Sequence, residues 1–460
     1  MSLPPCRLSR RASLSMLAAA ACSRPMPPVP AAVPSAEGAI DVVDVIDHVI
    51  TLSLDLAPAS LTGQGDVRVR ARRTTDTISL DARALRITSV SVEGSPVPFE
   101  SVADRLHVHL PTALAAGAER TLHVAWTVPT DHEVPRFTAA HAWAGYLTSA
   151  WMPTLQDFSQ RATLTLRLDV PSGVTAAASG RSLGATSASA RTTHTFVVDR
   201  PSPPFLFAFA AGSLVDTART VDGVTLHALA PPGVDVVEVL DLTAPMLSFL
   251  RDRTGAPLPA SDYRQVFVPT DLTPQEAAGL ALLPVSAIDD VRRDPTEDWA
   301  FSHELAHQWF GWLVPCADLA DFWLNEGFAS FLVAACKEQR WGRSAYDREV
   351  SLWRRRSARV HADARDAPVS LAPPGAARPV VREADLPPRG VTYGRGALVL
   401  HRLRERLGDA VFWDGVRRHV AASSGRGATS EGLRVAFSAA SGQDLTPFFT
   451  RWIYTAAPDL

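Results

Sequence analysis

The sequence predicts an α+β protein with several domains, in which a β-rich first half precedes a mostly helical second half. The chain has 460 residues, of which 46% are apolar, and this length exceeds what one ordinary domain needs. Apolar and polar residues alternate through much of the first half, whereas longer apolar segments with helical spacing occupy the second half. We expect an antiparallel β domain followed by a helical domain.

Residues 1–38 are typical of an export signal followed by a tether. Three arginines precede a short Ala-rich apolar segment at residues 14–22, as in a signal peptide. The arginine pair also suits a twin-arginine signal, and the segment ends like a lipoprotein cleavage site, which leaves open whether Cys22 carries a lipid anchor to the membrane. Prolines in residues 23–38 predict a tether without regular structure. We expect export to the periplasm or cell envelope; a disordered basic terminus is the alternative.

Residues 39–213 predict the β domain. The alternation is clearest in four segments, at residues 49–54, 66–71, 106–110 and 162–168. A period of two places one side of each segment in a core, which is the pattern of half-buried strands. Glycine and proline residues separate these segments, as turns between neighbouring strands require.

Residues 214–460 predict the helical domain. Segments with helical spacing and length lie at residues 236–250, 299–314, 322–341 and 397–407, and short strands lie at residues 224–230 and 265–269. The Pro-rich residues 368–388 predict a long loop. Helical segments then close the chain.

Charge and cysteine content bear on the partners and on covalent cross-links. A net charge of -3 and a pI near 6.5 give no electrostatic reason to expect nucleic acid as a partner. The cysteines show no spacing of a disulfide framework. We expect Cys336 to be a buried apolar residue, while pairing with Cys316 stays open. No pattern in the sequence indicates an oligomeric state.

A metal-binding pattern lies in the predicted helix at residues 299–314. His303 and His307 are four residues apart, so a helix presents both imidazoles on one face, with Glu304 beside them. Glu326 lies on the next apolar segment and adds a second carboxylate. Two histidines and a carboxylate leave the fourth tetrahedral position open, which is typical of a catalytic zinc. A chance pattern on an amphipathic helix is the alternative, and the well-placed Glu326 argues against it.

Several motifs, in the same order along the chain, resemble the M1 family of zinc metallopeptidases. They are HELAHQWFG at residues 303–311, WLNEGFA at residues 323–329, YGRGA at residues 393–397, where the family has lysine for Arg395, and the end of the chain over residues 442–453. The resemblance is strong over the second half and weak over the first. It implies a saddle-like N-terminal β domain, a thermolysin-like catalytic domain, and a short form without the large helical C-terminal domain of many members.

The resemblance also implies roles for individual residues. His303, His307 and Glu326 would bind Zn²⁺, one ion per chain, and Glu304 would be the general base that takes a proton from the attacking water. Tyr393 would donate a hydrogen bond to the oxyanion of the tetrahedral intermediate. Peptides would be the substrates.

Two positions depart from the family pattern. Family aminopeptidases bind the substrate's α-amine with a glutamate in a Gly-x-Met-Glu-Asn segment, whereas this chain has TPQEAAGL at residues 273–280. We expect Glu276 and Gly279 to bind substrate there; a solvated loop carboxylate is the alternative for Glu276. Val333 stands where the family commonly has an acidic residue that orients a zinc-bound histidine. Losing such a partner typically costs about 10- to 100-fold in metal affinity or activity.

Three functions are compatible with these residues. A zinc aminopeptidase follows from the four zinc-site residues together with Glu276 and Tyr393. A zinc endopeptidase without a strict need for a free amine follows from the altered segment around Glu276. A non-catalytic envelope binding protein follows from Val333 and that same segment, although such proteins tend to lose a ligand or the base. We expect the aminopeptidase.

Overall fold

Strands dominate the first half of the structure and helices the second, so the predicted fold class is confirmed. The computed structural model describes residues 42–456. The predicted export signal, the Pro-rich tether and Cys22 lie outside these described residues. The predicted boundary between residues 213 and 214 stays a prediction.

Twenty strands occur within residues 42–456. They are β1 (Val43–Leu56), β2 (Ala59–Ala71), β3 (Thr75–Asp81), β4 (Arg86–Val92), β5 (Ser95–Pro96), β6 (Phe99–Val102), β7 (Arg105–Leu114), β8 (Glu119–Thr127), β9 (Arg136–Phe137), β10 (His141–Ala144), β11 (Ala162–Pro171), β12 (Thr175–Ala178), β13 (Arg181–Ala188), β14 (Arg191–Ser202), β15 (Phe209–Gly212), β16 (Val215–Val221), β17 (Val224–Ala230), β18 (Asp262–Val268), β19 (Gln275–Ala277) and β20 (Leu280–Pro284).

Nine α-helices occur in the same part of the chain. They are α1 (Val237–Thr254), α2 (Ser286–Arg293), α3 (Trp299–Ala306), α4 (Trp323–Trp341), α5 (Arg343–Ala362), α6 (Gly396–Leu407), α7 (Asp409–Ser423), α8 (Ser430–Ser441) and α9 (Thr446–Trp452). None of these helices is both long enough and apolar enough to span a bilayer. The Pro-rich residues 368–388 form a loop, as predicted, with one short turn at Glu383–Asp385.

Strands β1 and β2 lie at the centre of an eight-stranded sheet with the order β13-β14-β11-β1-β2-β8-β4-β5. Ile50, Leu52 and Leu54 of β1 are fully buried and the residues between them are partly exposed, as the alternation predicts. The sheet is mainly antiparallel, as predicted, and β1 with β11 is its one parallel pair among the described strands. Alternation defines the buried face but not the strand direction. The strands between β1 and β11 provide the long connection that a parallel pair needs.

A five-stranded mixed sheet, with the order β16-β17-β18-β20-β19, connects the β-rich region to the helices. Strands β18 and β20 are parallel, and every residue in both is buried. Continuous burial is typical of parallel strands covered on both faces. Strand β19 pairs antiparallel with β20 and forms the edge of the sheet.

Helix α3 is shorter than the helix predicted at residues 299–314. It ends at Ala306, and an irregular wide turn follows over Gln308–Leu313. Phe310 has φ -104° and ψ 87°, and Gly311 has φ 145°, which favours glycine. The residues in this turn are all buried, so the apolar pattern continues past the point where the helix ends.

Aromatic and polar contacts join the β-rich region to the helical region. Phe158 stacks on Phe205 with ring centroids 4.2 Å apart, and it meets Phe322 edge-on at 5.5 Å. Trp312 Nε1 donates a hydrogen bond to Ser202 Oγ at 2.9 Å. One hydrophobic core continues through both regions.

The two cysteines of this part of the chain are free thiols. Cys316 and Cys336 are both buried and do not pair with each other. Burial raises the pKa of each thiol above its ordinary value, so both stay protonated at neutral pH. They therefore behave as small apolar residues.

The first prediction concerns His419 on α7, which is fully buried and stacks near Phe328 with centroids 6.0 Å apart. Burial lowers the pKa of His419 from 6.5 to about 4. The neutral ring therefore contributes stability above pH 6.5 that is lost as the pH falls towards 4, by up to about 3 kcal/mol. His419→Leu should flatten the dependence of the free energy of unfolding on pH in that interval, measured by denaturant titration.

The exposed His132 supplies the control, and His132→Leu should leave the pH dependence as in the wild type. A His419→Leu variant with the wild-type pH slope between pH 6.5 and 4 would contradict the prediction.

Candidate metal centre

Helix α3 presents two imidazoles on one face. His303 and His307 are one helical turn apart, and their Nε2 atoms lie 3.1 Å from each other. Both rings are almost completely buried. Two neutral imidazoles can form at most one hydrogen bond with each other. Two ring nitrogens this close together in a buried site are therefore well placed to bind one cation between them.

The irregular turn after α3 orients His307. The chain reverses at Gly311, and this brings the Phe310 carbonyl to 3.0 Å from His307 Nδ1. A carbonyl can only accept, so Nδ1 carries the proton and Nε2 offers its lone pair. Such a backbone partner is a common way to orient a metal-binding histidine. The early end of α3 therefore has a function in the site.

Glu326 comes from the first turn of α4 and approaches both histidines. Its Oε2 lies 3.3 Å from His303 Nε2 and 3.7 Å from His307 Nε2. The next residue, Gly327, faces Gly396 of α6 so closely that an added Cβ would lie 3.0 Å from the Gly396 carbonyl carbon. Glycine at both positions lets the two backbones touch. This contact fixes the position of Glu326 relative to the segment that precedes α6.

The donor set fits zinc. One ligand atom from each of His303, His307 and Glu326 lies within 4.8 Å of the other two. Tetrahedral zinc with nitrogen and oxygen ligands at about 2.1 Å requires ligand atoms roughly 3.4 Å apart. The distances of 3.3 Å and 3.7 Å from Glu326 to the two histidines lie on either side of this value. A buried oxygen, Glu304 Oε2, also has no hydrogen-bond partner within residues 42–456. Such a group is expected beside a bound ion or water.

Three carboxylates share this site, of which Glu304 and Glu326 are buried and Glu276 is half-buried. Burial raises the pKa of Glu304 well above its usual range, and the negative charges of Glu276 and Glu326 raise it further. Burial also raises the pKa of Glu276. Ligand atoms of Glu276, Glu304 and His307 lie within 4.8 Å of one another. A divalent cation would offset this accumulation of negative charge.

The histidines respond in opposite ways to their surroundings. Burial acts to lower the pKa of His307, but Glu276 and Glu326 outweigh it and raise the pKa above its ordinary value. Burial lowers the pKa of His303 to about 4. Burial acts to raise the pKa of Glu326, yet His307 and then His303 hold it below its ordinary value. Glu326 is therefore ionised at neutral pH, as a metal ligand must be.

Glu276 lies on the edge strand β19 and not in a loop. The Gly279 N–H donates to Gln308 Oε1 at 2.9 Å, and Gln308 Nε2 donates to the Ala277 carbonyl at 3.1 Å. Gln308 directly follows the second histidine, so one side chain ties the Glu276 strand to the metal-binding segment. The Gly279 carbonyl accepts from the Arg264 N–H at 3.0 Å. Both backbone groups of Gly279 are engaged within the protein, and its role in substrate binding stays a prediction.

Tyr393 lies beside the histidines in a wide turn, Gly390–Arg395, that leads into α6. Its ring is nearly parallel to the His303 ring, with centroids 5.8 Å apart. Burial, and then Glu326, raise the pKa of Tyr393 well above its usual range, so its hydroxyl keeps its proton. Arg395 of the same motif is fully buried and donates to Asp366 at 2.6 Å and to the Ala367 carbonyl at 3.1 Å. Arg395 thus anchors the turn.

With valine at position 333, the second ring nitrogen of one histidine has no carboxylate partner within the described residues. Val333 is fully buried on α4, and His303 Nδ1 is buried without a hydrogen-bond partner within the described residues. Trp299 instead stacks on the His303 ring, with centroids 4.1 Å apart and 19° between the planes.

The sequence-predicted residues His303, Glu304, His307, Glu326, Glu276 and Tyr393 come together in one site. Four further side chains at the site were missed: Tyr146, Trp299, Gln308 and Arg389. Each of the last three lies four residues from a predicted site residue, and this spacing brings side chains together where the chain forms a helical turn. Tyr146 comes from the β-rich region, and its hydroxyl donates to Glu383 Oε1 at 3.1 Å. Nothing local in the sequence indicates that contact.

Comparison with known proteins identifies the helical region. The family model described as "Peptidase family M1 domain" matches residues 239–452. Aminopeptidase N from Streptomyces lividans is 27% identical over 244 residues, which cover 48% of this chain and 26% of that protein. Puromycin-sensitive aminopeptidase from Caenorhabditis elegans is 23% identical over 453 residues, which cover 88% of this chain and 46% of that protein. The chain thus spans less than half the length of these two relatives.

The whole described fold has a counterpart among solved structures. A mutant M1 zinc metallopeptidase from Deinococcus radiodurans, bound to a Tyr-ser-ala substrate, is similar with a TM-score of 0.72 and 25% identity. The match covers 90% of this chain and 94% of that one. It therefore includes the β-rich region, which the family model does not match.

The second prediction concerns metal binding. One equivalent of zinc should bind per chain and raise the Tm, because a ligand at 100 times its Kd stabilises the folded state by about 2.7 kcal/mol. His307→Ala should lose both the zinc and the rise in Tm, measured by elemental analysis and differential scanning calorimetry. His132→Ala is the control and should keep both. A His307→Ala variant that still binds one zinc with wild-type affinity would contradict the assignment.

Proposed function

Residues 239–452 form a domain of peptidase family M1, as the motifs predicted, and on this premise we propose that the protein is a zinc-dependent aminopeptidase. One observation carries the proposal most directly. His303, His307 and Glu326 offer ligand atoms for a single ion, and Glu276 and Glu304 form an overlapping group with His307. The metal ligands, a general base and a carboxylate that can bind an amine thus lie together in one site.

Zinc would be held by His303, His307 and Glu326. When bound, it supplies a Lewis acid that polarises a carbonyl and brings the pKa of water from above 15 to about 7. The protein supplies the proton acceptor. Glu304 follows His303 directly, and its Oε2 has no hydrogen-bond partner within residues 42–456. We assign it to take a proton from the attacking water and to return it to the leaving amine.

Tyr393 and Glu276 would act on the substrate. The Tyr393 hydroxyl keeps its proton and can donate a hydrogen bond to the oxyanion, and removing one such donor typically costs about 3 kcal/mol of transition-state stabilisation. Glu276 lies close to the general base and to His307. A carboxylate in a partly desolvated cleft attracts an ammonium group strongly, so Glu276 is assigned to the α-amine of a peptide.

The altered segment around Glu276 keeps an endopeptidase as the second candidate. The glycine and asparagine of the family segment are absent, and Gly279 uses both backbone groups inside the protein. An endopeptidase would also cleave peptides whose amines are blocked. The retained glutamate and the names of the relatives, both aminopeptidases, favour the requirement for a free amine.

The third prediction tests the base. Glu304→Gln keeps the size and burial of the side chain but cannot accept the proton, so kcat should fall by roughly 10³-fold while one zinc stays bound. Turnover of aminoacyl arylamides and elemental analysis measure the two quantities. Glu297→Gln, an exposed acid just before α3, is the control and should keep wild-type kcat. Full activity of Glu304→Gln would eliminate this mechanism.

The fourth prediction tests recognition of the amine. Glu276→Ala should lower kcat/KM for free peptides by roughly 30-fold or more, because truncating one partner of a buried charge pair costs about 2 kcal/mol or more. Peptides that differ only in N-acetylation provide the comparison, read by mass spectrometry. The wild type should not cleave acetylated peptides. Equal cleavage of both peptides by the wild type would show that no free amine is required, and the proposed function would then be that of an endopeptidase.

A further inference from the structure

Four side chains form one stacked column at the metal site. Trp299 and His303 lie with centroids 4.1 Å apart, His303 and Tyr393 follow at 5.8 Å, and the interplanar angles are 19° and 12°. Arg389 closes the column, with Cζ 4.7 Å from the centroid of the Tyr393 ring. A metal ligand and the oxyanion donor are therefore neighbours within a single stack.

His303 lacks the usual hydrogen bond at its second ring nitrogen within the described residues. Its Nδ1 atom is buried and has no hydrogen-bond partner in the described part of the chain, and Val333 offers no polar group. A metal-binding imidazole usually donates its second N–H to a carboxylate or carbonyl, which fixes the ring. Trp299 lies one helical turn before His303 on the same face of α3. Its indole covers the imidazole and can restrict ring rotation by packing.

Arg389 acts on the other end of the column. Its Nη2 donates a hydrogen bond to Tyr393 Oη at 2.9 Å. A hydroxyl that accepts from a guanidinium keeps its own proton for another acceptor. The same guanidinium lies over the ring, and a cation over an aromatic face is attracted to it. Both contacts hold the phenol in one orientation, and its proton is not used by the guanidinium.

We propose that Trp299 and Arg389 are positioning residues, which hold His303 and Tyr393 from opposite ends of one stacked column. The role of Trp299 concerns zinc affinity and follows from the metal site alone. The role of Arg389 rests on the proposed function, because it concerns the donor to the oxyanion. The two roles separate cleanly, since Trp299 should govern metal binding and Arg389 should govern the chemical step.

Zinc affinity tests the role of Trp299. Loss of an orienting partner typically costs about 10- to 100-fold in metal affinity, so Trp299→Leu should bind zinc at least about 10-fold more weakly in a chelator competition. Trp299→Phe keeps a stacking ring and should stay within about threefold of the wild type. Trp452→Leu changes a tryptophan of α9 and is the control. Circular dichroism of the zinc-free proteins checks that each variant folds.

Zinc affinity of Trp299→Leu within twofold of the wild type would overturn this half of the proposal. An equal loss in Trp299→Phe would do so too, because stacking would not be the cause. Neither readout needs peptidase activity. A wild type that binds zinc but cleaves no peptide would remove the proposed function and leave the test of Trp299 intact.

A split between kcat and KM tests the role of Arg389. Arg389→Met should lower kcat about 10-fold with little change in KM, because the Tyr393 donor is used in the transition state. Zinc affinity should not change. Arg389→Lys keeps the charge and should recover part of kcat. Adding Arg389→Met to Tyr393→Phe should lower kcat no further, since both changes act through the same hydroxyl.

A binding measurement covers the case of an inactive wild type. A phosphinic dipeptide analogue carries a tetrahedral oxyanion, and its affinity for the zinc-loaded protein can be measured by calorimetry. Tyr393→Phe and Arg389→Met should each weaken it about 10-fold. Wild-type kcat in Arg389→Met, a raised KM with unchanged kcat, a further fall in the double variant, or wild-type affinity for the analogue would each refute positioning by Arg389.

Discussion

The close contact of α4 with α6 is the constraint on which the site depends. Glu326 must reach His303 and His307 of a different helix to within about 4 Å, and its neighbour Gly327 touches the backbone at Gly396. A side chain at either glycine would push the helices apart, because an added Cβ would lie at about 3 Å from backbone atoms. The same contact carries the turn with Tyr393 into the site. Two short motifs thus meet through their smallest residues.

Burial shifts the pKa values of the acids and imidazoles in this arrangement. Desolvation is the largest influence on the pKa of each acid and imidazole at the site. Three carboxylates and two imidazoles brought together with most of their surface buried are costly without a cation, and a zinc ion would offset that cost. The zinc-free protein thus loses some folding stability by burying the ionisable groups that metal binding and proton transfer require.

Local spacing predicted the parts of the structure that are themselves local. The alternation over β1 and the four-residue spacing of His303 and His307 are properties of single elements, so one sequence reveals them. The end of α3 was not predictable from the apolar pattern, because the irregular turn after it is as buried as a helix would be. The parallel pairing of β1 with β11 joins distant strands and has no local signature. The contact of Gln308 with Gly279 joins residues far apart in the chain and depends on tertiary packing. The contacts of Arg389 with Tyr393 and of Trp299 with His303 join residues four apart, so their spacing was visible in the sequence although their roles were not.

The geometry of the site requires His303, His307 and Glu326 to share a single zinc ion. Anomalous diffraction at the zinc absorption edge, from crystals of the purified protein, locates that ion. One strong peak per chain is expected, about 2 Å from both Nε2 atoms and from a Glu326 carboxylate oxygen. A peak elsewhere, or none at this position in crystals that contain zinc, would contradict this assignment.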